Sequence, residues 1–475
     1  MALPWALGGL LVAVALVAAA ALAWSSGRLN TLVCGGQCGP EAVAAPTALT
    51  VDPEAATRRP VPDAVVPGRL DPAAVGAAVE EVLADDDVRD ALGDRVGVSV
   101  VGADGATAYR RDGDAAFVPA STTKLLTAYA ALARLDPGAR FTTSTVLDGT
   151  RVVLVGGGDP YLADTPPEEP TPVDRADLRT LAERTAAALA AAGLGSVSLG
   201  YDASLFSGPS ASPAWEDSYV PGQVVTPVSA LWADRGIRDG IRSGDPARAA
   251  ADRFADLLQD AGVDVEGEPR SDPAPADPGP DEPATAQRRP LATVSGATVS
   301  QVVDAMLVRS DNEAAEVLLR HVGLAAGRDG SFDGGAAAVV DTLTTNEVPV
   351  PGLRLTDGSG LSRANRVAPD TLAAVLRAAS SRASTAELLA DLPVGGLTGT
   401  LRDRFDDDAP GAGLVRAKTG TLTGVHSLAG YTTDASGVPV LFALMVDDTK
   451  DVPPLATQAA LDDVADALAA CRCSR

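Results

Sequence analysis

Apolar positions spaced three or four apart mark helices at several points along the chain. After Asp71-Pro72, a cap followed by a proline suited to a first turn, Val75, Val79 and Val82 fall on one face. From Pro119 onward Leu125, Leu126, Tyr129 and Leu132 repeat in the same way, until Asp136-Pro137-Gly138 stops the pattern. Helical periodicity also fits residues 174–192 and 246–262, and a last amphipathic helix runs to Cys471. VSQVVDAMLVRSDNEAAEVLLRHVG reads as two helices broken at Ser310-Asp311-Asn312. Alternating or continuous β-branched runs predict strands instead. RVGVSVVGADGATAYRR and TTSTVLDGTRVVLV are hairpins about Asp-Gly turns, and LVRAKTG, SLAGYTTD and VPVLFALMV are three late strands. Two early and three late strands, with a helix at each end, predict an antiparallel five-stranded sheet closed by both ends of the chain. This is an α+β class with its terminal helices side by side.

Residues 1–24 carry no charge and are long enough to cross a bilayer, so we expect a transmembrane anchor or signal segment there. Residues 25–69 are then an extracytoplasmic tether, and 267–290, rich in Pro, Asp and Ala, a low-complexity loop. The four cysteines stand at the two ends: Cys34 and Cys38, then Cys471 and Cys473. A zinc site is the alternative, but Cys-x-Cys is tighter than the usual ligand pair, and a cross-link between the ends is the expectation.

A hydrophobic content of 46% across 475 residues supplies a core for more than one domain. The net charge of −25 disfavours nucleic acid and anionic surfaces as partners, and acidic runs such as Asp85 to Asp87 read as solvated surface. Arginine dominates the basic residues. Only three lysines occur, Lys124, Lys418 and Lys450. Lys124 opens an apolar helix, where a charge is costly, and a desolvated lysine, unlike arginine, gives up its proton readily. Ser121 lies three residues earlier, on the same helical face. That pair can activate a hydroxyl as a nucleophile.

Three motifs follow in order: Ser121-Thr-Thr-Lys124, Ser310-Asp-Asn312 and Lys418-Thr-Gly420. By itself Ser310-Asp-Asn312 reads as a helix cap, but two of only three lysines falling in this set is not a chance pattern. The trio is the signature of serine β-lactamases and penicillin-binding proteins. VLVGGGDPYL, TPVSALW, RSDNEAAEVLLR, DGSGLSRANRV and RAKTGTLTGVHSLAGY resemble the class C low-molecular-mass penicillin-binding proteins, across residues 75 to 470. The resemblance implies a transpeptidase-like catalytic domain formed by 70–147 and 291–475, with 148–290 inserted after the nucleophile helix. The 189 residues between Ser121 and Ser310 (310 − 121) leave room for that insertion.

The implied activity is that of a serine-type D-alanyl-D-alanine carboxypeptidase, with endopeptidase cleavage left open. It acts on peptidoglycan stem peptides outside the membrane, is acylated by β-lactam antibiotics and needs no cofactor or metal. Ser121 is then the nucleophile and Lys124 its base, Ser310 a proton relay, Asn312 a substrate ligand and Lys418 a source of positive potential. Thr419, Gly420 and Thr421 hold the terminal carboxylate and the oxyanion. Asp159 and Arg363 are expected to line a subsite for the zwitterionic end of diaminopimelate; a turn cap and a local ion pair are the alternative. His321 and His426 have neither metal nor triad spacing and read as structural. A serine β-lactamase is the nearest rival function, but TLTTNEVPVPGLRLTDGSG lacks the Glu-x-x-x-Asn element that class A enzymes use for deacylation. A non-catalytic wall-binding scaffold is the other rival, disfavoured because all three motifs are intact.

Overall fold

The segment from residue 68 and the C-terminal residues meet in the first layer of the structure. Asp71 caps helix α1 (Pro72–Leu83) by accepting the Ala73 N–H, and Pro72 occupies the first turn. Val75, Val79 and Leu83 form its buried face, whereas Val82 is only half buried. A short helix α2 (Asp86–Leu92) follows. The computed structural model describes residues 68–272, 288–406 and 408–475, so the expected anchor (1–24) and nearly all of the tether (25–69), with Cys34 and Cys38, lie outside the described residues. Among the described residues no helix is long and apolar enough to cross a membrane.

Strands β1 (Val96–Gly102) and β2 (Thr107–Arg111) form the first hairpin. After a short turn at Ala120–Thr122 comes helix α3 (Thr123–Arg134), whose Leu125, Leu126, Tyr129 and Leu132 are all buried as the pattern predicts. A second sheet then begins: β3 (Arg140–Asp148), β4 (Arg151–Gly156), α4 (Leu178–Ala191), β5 (Ser196–Asp202), a two-residue ribbon β6 (Ile237–Arg238) and β7 (Ile241–Arg242), α5 (Pro246–Asp260), β8 (Asp264–Ser271) and β9 (Arg288–Thr298). Its order is β8-β5-β4-β3-β9, with β4, β5 and β8 parallel and joined through α4 and α5. This sheet starts at Arg140 and closes at Thr298, because β3 pairs with both β4 and β9. A boundary at 147/148 or 290/291 would cut those strands. Residues 264–271 and 288–298 are likewise strand rather than loop, which shortens the low-complexity segment expected at 267–290.

Helices α6 (Val299–Arg309), α7 (Asn312–Ala325), α8 (Phe332–Thr345), α9 (Pro369–Ser380) and α10 (Ala383–Ala390) surround α3. The chain ends with β10 (Arg416–Leu422), β11 (Val425–Thr433), β12 (Pro439–Val446) and α11 (Pro454–Ala470). The first sheet has the order β10-β11-β12-β1-β2 and is antiparallel throughout. It is the predicted five-stranded sheet of two early and three late strands. β12 is a continuous apolar run because both its faces are covered: Leu441, Ala443 and Met445 face the helices around α3, while Val440, Phe442, Leu444 and Val446 meet α1 and α11. The terminal helices share that second cluster, and Arg475 pairs with Asp71 at 2.6 Å.

One expectation is overturned at this junction. Cys471 and Cys473 are disulfide-bonded to each other, with Cα atoms 5.2 Å apart, so neither sulfur is left to cross-link the other end. Cys473 is buried and Asp71 N–H donates to its carbonyl, so hydrogen bonding and packing join the C-terminal residues to the start of helix α1.

Candidate active site

Ser121 sits in a single 3-10 turn, Ala120–Thr122, directly ahead of α3. Its position is fixed from several sides. Ala120 takes a left-handed φ of 47°, and the Thr123 hydroxyl donates to its carbonyl at 2.8 Å. The Ser427 hydroxyl of β11 and the Thr122 hydroxyl both donate to the Pro119 carbonyl, at 2.8 and 2.7 Å. A strained residue next to Ser121, held by so many contacts, keeps that hydroxyl in one place.

One turn later the Lys124 ammonium is fully buried and donates three hydrogen bonds: to Ser121 Oγ (2.9 Å), Asn312 Oδ1 (2.8 Å) and the Ser359 carbonyl (2.7 Å). Burial lowers its pKa to about 8, against the upward pull of the carboxylates of Glu316, Asp357, Asp311 and Glu313. Near neutral pH a usable fraction of this amine is therefore unprotonated, within hydrogen-bond distance of the serine.

Asn312 reaches Lys124 because of the break between α6 and α7. Ser310 ends α6 in a left-handed conformation (φ 57°), and Asp311 starts α7 by accepting the Ala314 N–H. The turn is therefore a helix cap and also the ligand of Lys124. The carboxylates flanking Asn312 are gripped by one segment of the second sheet region. Arg235 donates to Asp311 at 3.1 Å and Arg242 to Glu313 at 3.1 Å, and both acids are buried.

Strand β10 closes the opposite side. Lys418 is buried and donates to the Thr419 carbonyl at 2.9 Å; burial, reinforced by the charge of Lys124, holds its pKa well below the usual range. Thr419 Oγ1 donates to Thr400 Oγ1 at 2.8 Å. Gly420 passes so close to the Ala120–Thr122 turn that a Cβ there would lie 2.6 Å from the Pro119 carbonyl and 3.1 Å from the Ser121 nitrogen. Thr421 is exposed next to it on the edge strand of the sheet. Contacts thus join Ser121, Lys124 and Asn312 directly and press Gly420 against them, and Lys418 feels the charge of Lys124.

The expected pairing of Asp159 with Arg363 is not present. Asp159 is 2% exposed and accepts the Tyr161 N–H at 2.8 Å, and burial raises its pKa to about 7. A carboxylate so enclosed caps its own turn and has no surface to offer a substrate ammonium. Arg363 instead pairs with Glu216 at 3.1 Å and donates to the Thr423 carbonyl at 2.9 Å, just past β10. His321 is half buried, edge-on against Phe141 and Phe206 with its Nε2 at 3.1 Å from the Gly158 carbonyl, as a structural residue.

Sequence reading also missed Glu316. Fully buried, it accepts the Gly358 and Ser359 N–H groups at 2.9 and 2.8 Å, and so holds the backbone of Ser359, the residue whose carbonyl accepts from Lys124. Burial, followed by the charge of Asp357, raises its pKa to about 8. Asp357 completes the loop by accepting from Trp215 Nε1, the Ser362 N–H and Asn365 Nδ2 at 2.8, 2.7 and 2.6 Å. The available signal was spacing: Glu316 lies four residues after Asn312, on the same face of an apolar helix.

A buried lysine touching a helix-terminal serine, an Asn from a helix break and a Lys-Thr-Gly edge strand make an arrangement suited to serine acyl transfer, on a penicillin-binding-protein-like fold. The chain matches the model of the D-Ala-D-Ala carboxypeptidase 3 (S13) family over residues 75–239 and 237–468, and it belongs to that family. It is 36% identical over 393 residues to a carboxypeptidase of Mycobacterium tuberculosis, covering 79% of this chain and 80% of the relative. To the carboxypeptidase DacB of Mycolicibacterium smegmatis it is 32% identical over 391 residues, covering 78% and 79%. Its fold matches the crystal structure of penicillin binding protein 4 (dacB) from Haemophilus influenzae, with a TM-score of 0.65, 22% identity, and 79% and 98% of the two chains covered.

Proposed function

We propose that this protein is a serine-type D-alanyl-D-alanine carboxypeptidase of the cell wall, working through an acyl-enzyme on Ser121. The observation that carries the reading is the buried Lys124 amine, 2.9 Å from Ser121 Oγ and depressed to about pKa 8. Ser121 attacks the carbonyl of the penultimate D-alanine while Lys124 takes its proton. The oxyanion forms against the backbone N–H groups of Ser121 and Thr421, which the close passage of Gly420 supports as neighbours. Ser310 passes a proton to the departing D-alanine nitrogen, the C–N bond breaks, and water later hydrolyses the ester. Asn312 holds Lys124 and meets the substrate amide, while Lys418, Thr419 and Thr421 receive the terminal carboxylate. That carboxylate would restore Lys418 toward its charged form, since an opposite charge offsets burial.

A β-lactam presents the same acyl carbon to Ser121 and is expected to stay attached. Arg363 with Glu216, an acid and a base together beyond the end of β10, takes the place of the Asp159–Arg363 pair as the reading for a zwitterionic side chain. The substrate places the enzyme outside the cytoplasm, and residues 1–24 are proposed to hold it at the membrane. Digestion of purified muropeptides with mass-spectrometric readout tests the reading. Loss of a single terminal D-alanine from pentapeptides supports it, and intact pentapeptides alongside rapid penicillin turnover would make the protein a β-lactamase.

A further inference from the structure

A separate cavity of 310 Å3 lies against the Ser310-Asp311-Asn312 turn, and Ser121, Lys124, Asn312 and Lys418 are not among its walls. Tyr161, Val173, Asp234 and three arginines, Arg175, Arg235 and Arg309, help to line it. Two of these arginines are paired, Arg175 with Asp234 and Arg235 with Asp311, so the lining keeps a surplus of one cation in a chain with a net charge of −25.

The arginines are held to different degrees. Arg175 donates to the Tyr161 carbonyl at 2.8 Å and pairs with Asp234. Arg235 donates to the buried Asp311 at 3.1 Å. Arg309 is exposed and has no hydrogen-bond or ion-pair partner among the described residues. The cavity wall also stores strain: Asp234, Arg235 and Gly236 take φ values of 46°, 57° and 67° in succession, a conformation L-residues avoid. Asp234 N–H donating to the Leu162 carbonyl and the Thr226 hydroxyl donating to the Arg235 carbonyl, both at 2.8 Å, hold it there. This turn brings Arg235 onto Asp311.

We propose that this cavity is a carboxylate subsite for the peptide strand that departs when a wall cross-link is cut. The inference rests on the reading that Ser310 returns a proton to the departing nitrogen. A departing strand must then pass Ser310, and two of the cations belong to that turn: Arg309 precedes Ser310 in the chain and Arg235 is bonded to Asp311. A free D-alanine has one carboxylate, which strand β10 receives. A cross-linked stem peptide departs with further carboxylates on its far side, and a guanidinium binds such a group bidentately. Arg309 can do so without breaking an existing ion pair.

The test compares two purified substrates, a cross-linked muropeptide dimer and a monomeric pentapeptide, on full-length wild type, Arg309→Ala, Arg309→Glu and Arg309→Lys. For Arg309→Ala, kcat/KM on the dimer should fall about tenfold, the scale of one charge-assisted hydrogen bond. Arg309→Glu should fall further, and Arg309→Lys should stand between Arg309→Ala and wild type. Monomer cleavage and penicillin acylation should not change. Dimer cleavage equal to wild type in Arg309→Glu, or equal losses on dimer and monomer, would overturn the subsite. A wild-type enzyme that trims monomers but leaves dimers intact would also overturn it while sparing the carboxypeptidase reading, whereas failure on monomer and penicillin alike would remove that reading itself.

Discussion

Replacing Lys124 by arginine keeps a cation in place and removes only the capacity to be neutral, so it isolates the role of the base. With a pKa of about 8, roughly a tenth of the Lys124 side chains are unprotonated at neutral pH. An arginine keeps its proton in proteins and so offers essentially no neutral form under the same conditions. That predicts a loss of acylation of about four orders of magnitude, on the scale of losses at other acyl-transfer catalytic groups. Stopped-flow reaction with a fluorescent penicillin measures the rate constant, and thermal unfolding checks that the variant folds. The wild-type rate should climb with pH and level off above about pH 8, as the neutral amine becomes the major form. The same shift bears on stability. The folded-state pKa is lower than the unfolded value near 10.5, so the folded protein binds fewer protons between the two. The penalty of burying Lys124 is therefore fully present below about pH 8 and is relieved as pH rises toward the unfolded value. Acylation by Lys124→Arg within tenfold of wild type at neutral pH would refute the assignment of Lys124 as base.

Three other substitutions probe different parts of the site. Lys418→Arg keeps positive potential beside the substrate carboxylate and should retain measurable carboxypeptidase activity where Lys124→Arg does not; equal loss in both, by steady-state kinetics, would contradict separate roles. Gly420→Ala puts a methyl group against Ser427 Oγ and the Pro119 carbonyl, so β10 must move away from Ser121. Acylation should drop by about two orders of magnitude, on the scale of losing one oxyanion donor, in a protein that still folds. Arg242→Ala leaves Glu313 buried without its cation and should cost about 2 kcal/mol in urea unfolding, below the usual range for a broken buried pair because Arg242 is 21% exposed.

Much of the candidate site was legible because its residues lie in short local motifs. Ser121 and Lys124 share a helical face, Ser310-Asp311-Asn312 interrupts a helical period, and Lys418 to Thr421 lie on one strand. The alternation in VPVLFALMV was hidden by burial on both faces, yet its length and β-branched content still marked a strand. Misplaced parts depended on distant partners. Asp159 follows three glycines and looked free to face a substrate, but packing of the second sheet region encloses it. Glu216, the acid that does meet Arg363, lies 147 residues away in sequence, a separation no local pattern reports. Glu316 reads as an ordinary surface glutamate until the 357–362 loop folds over it and supplies two backbone donors. The insertion limits were shifted by a strand length, because β3 and β9 leave the helical core as partners in the second sheet.

Intact-mass spectrometry of the protein after brief exposure to benzylpenicillin addresses the central claim directly. Wild type should gain the full mass of one penicilloyl group, which peptide mapping places on Ser121, and Ser121→Ala should gain nothing. An adduct of the same mass on Ser121→Ala, or a wild-type protein that never becomes acylated, would contradict the account of Ser121 as the nucleophile activated by Lys124.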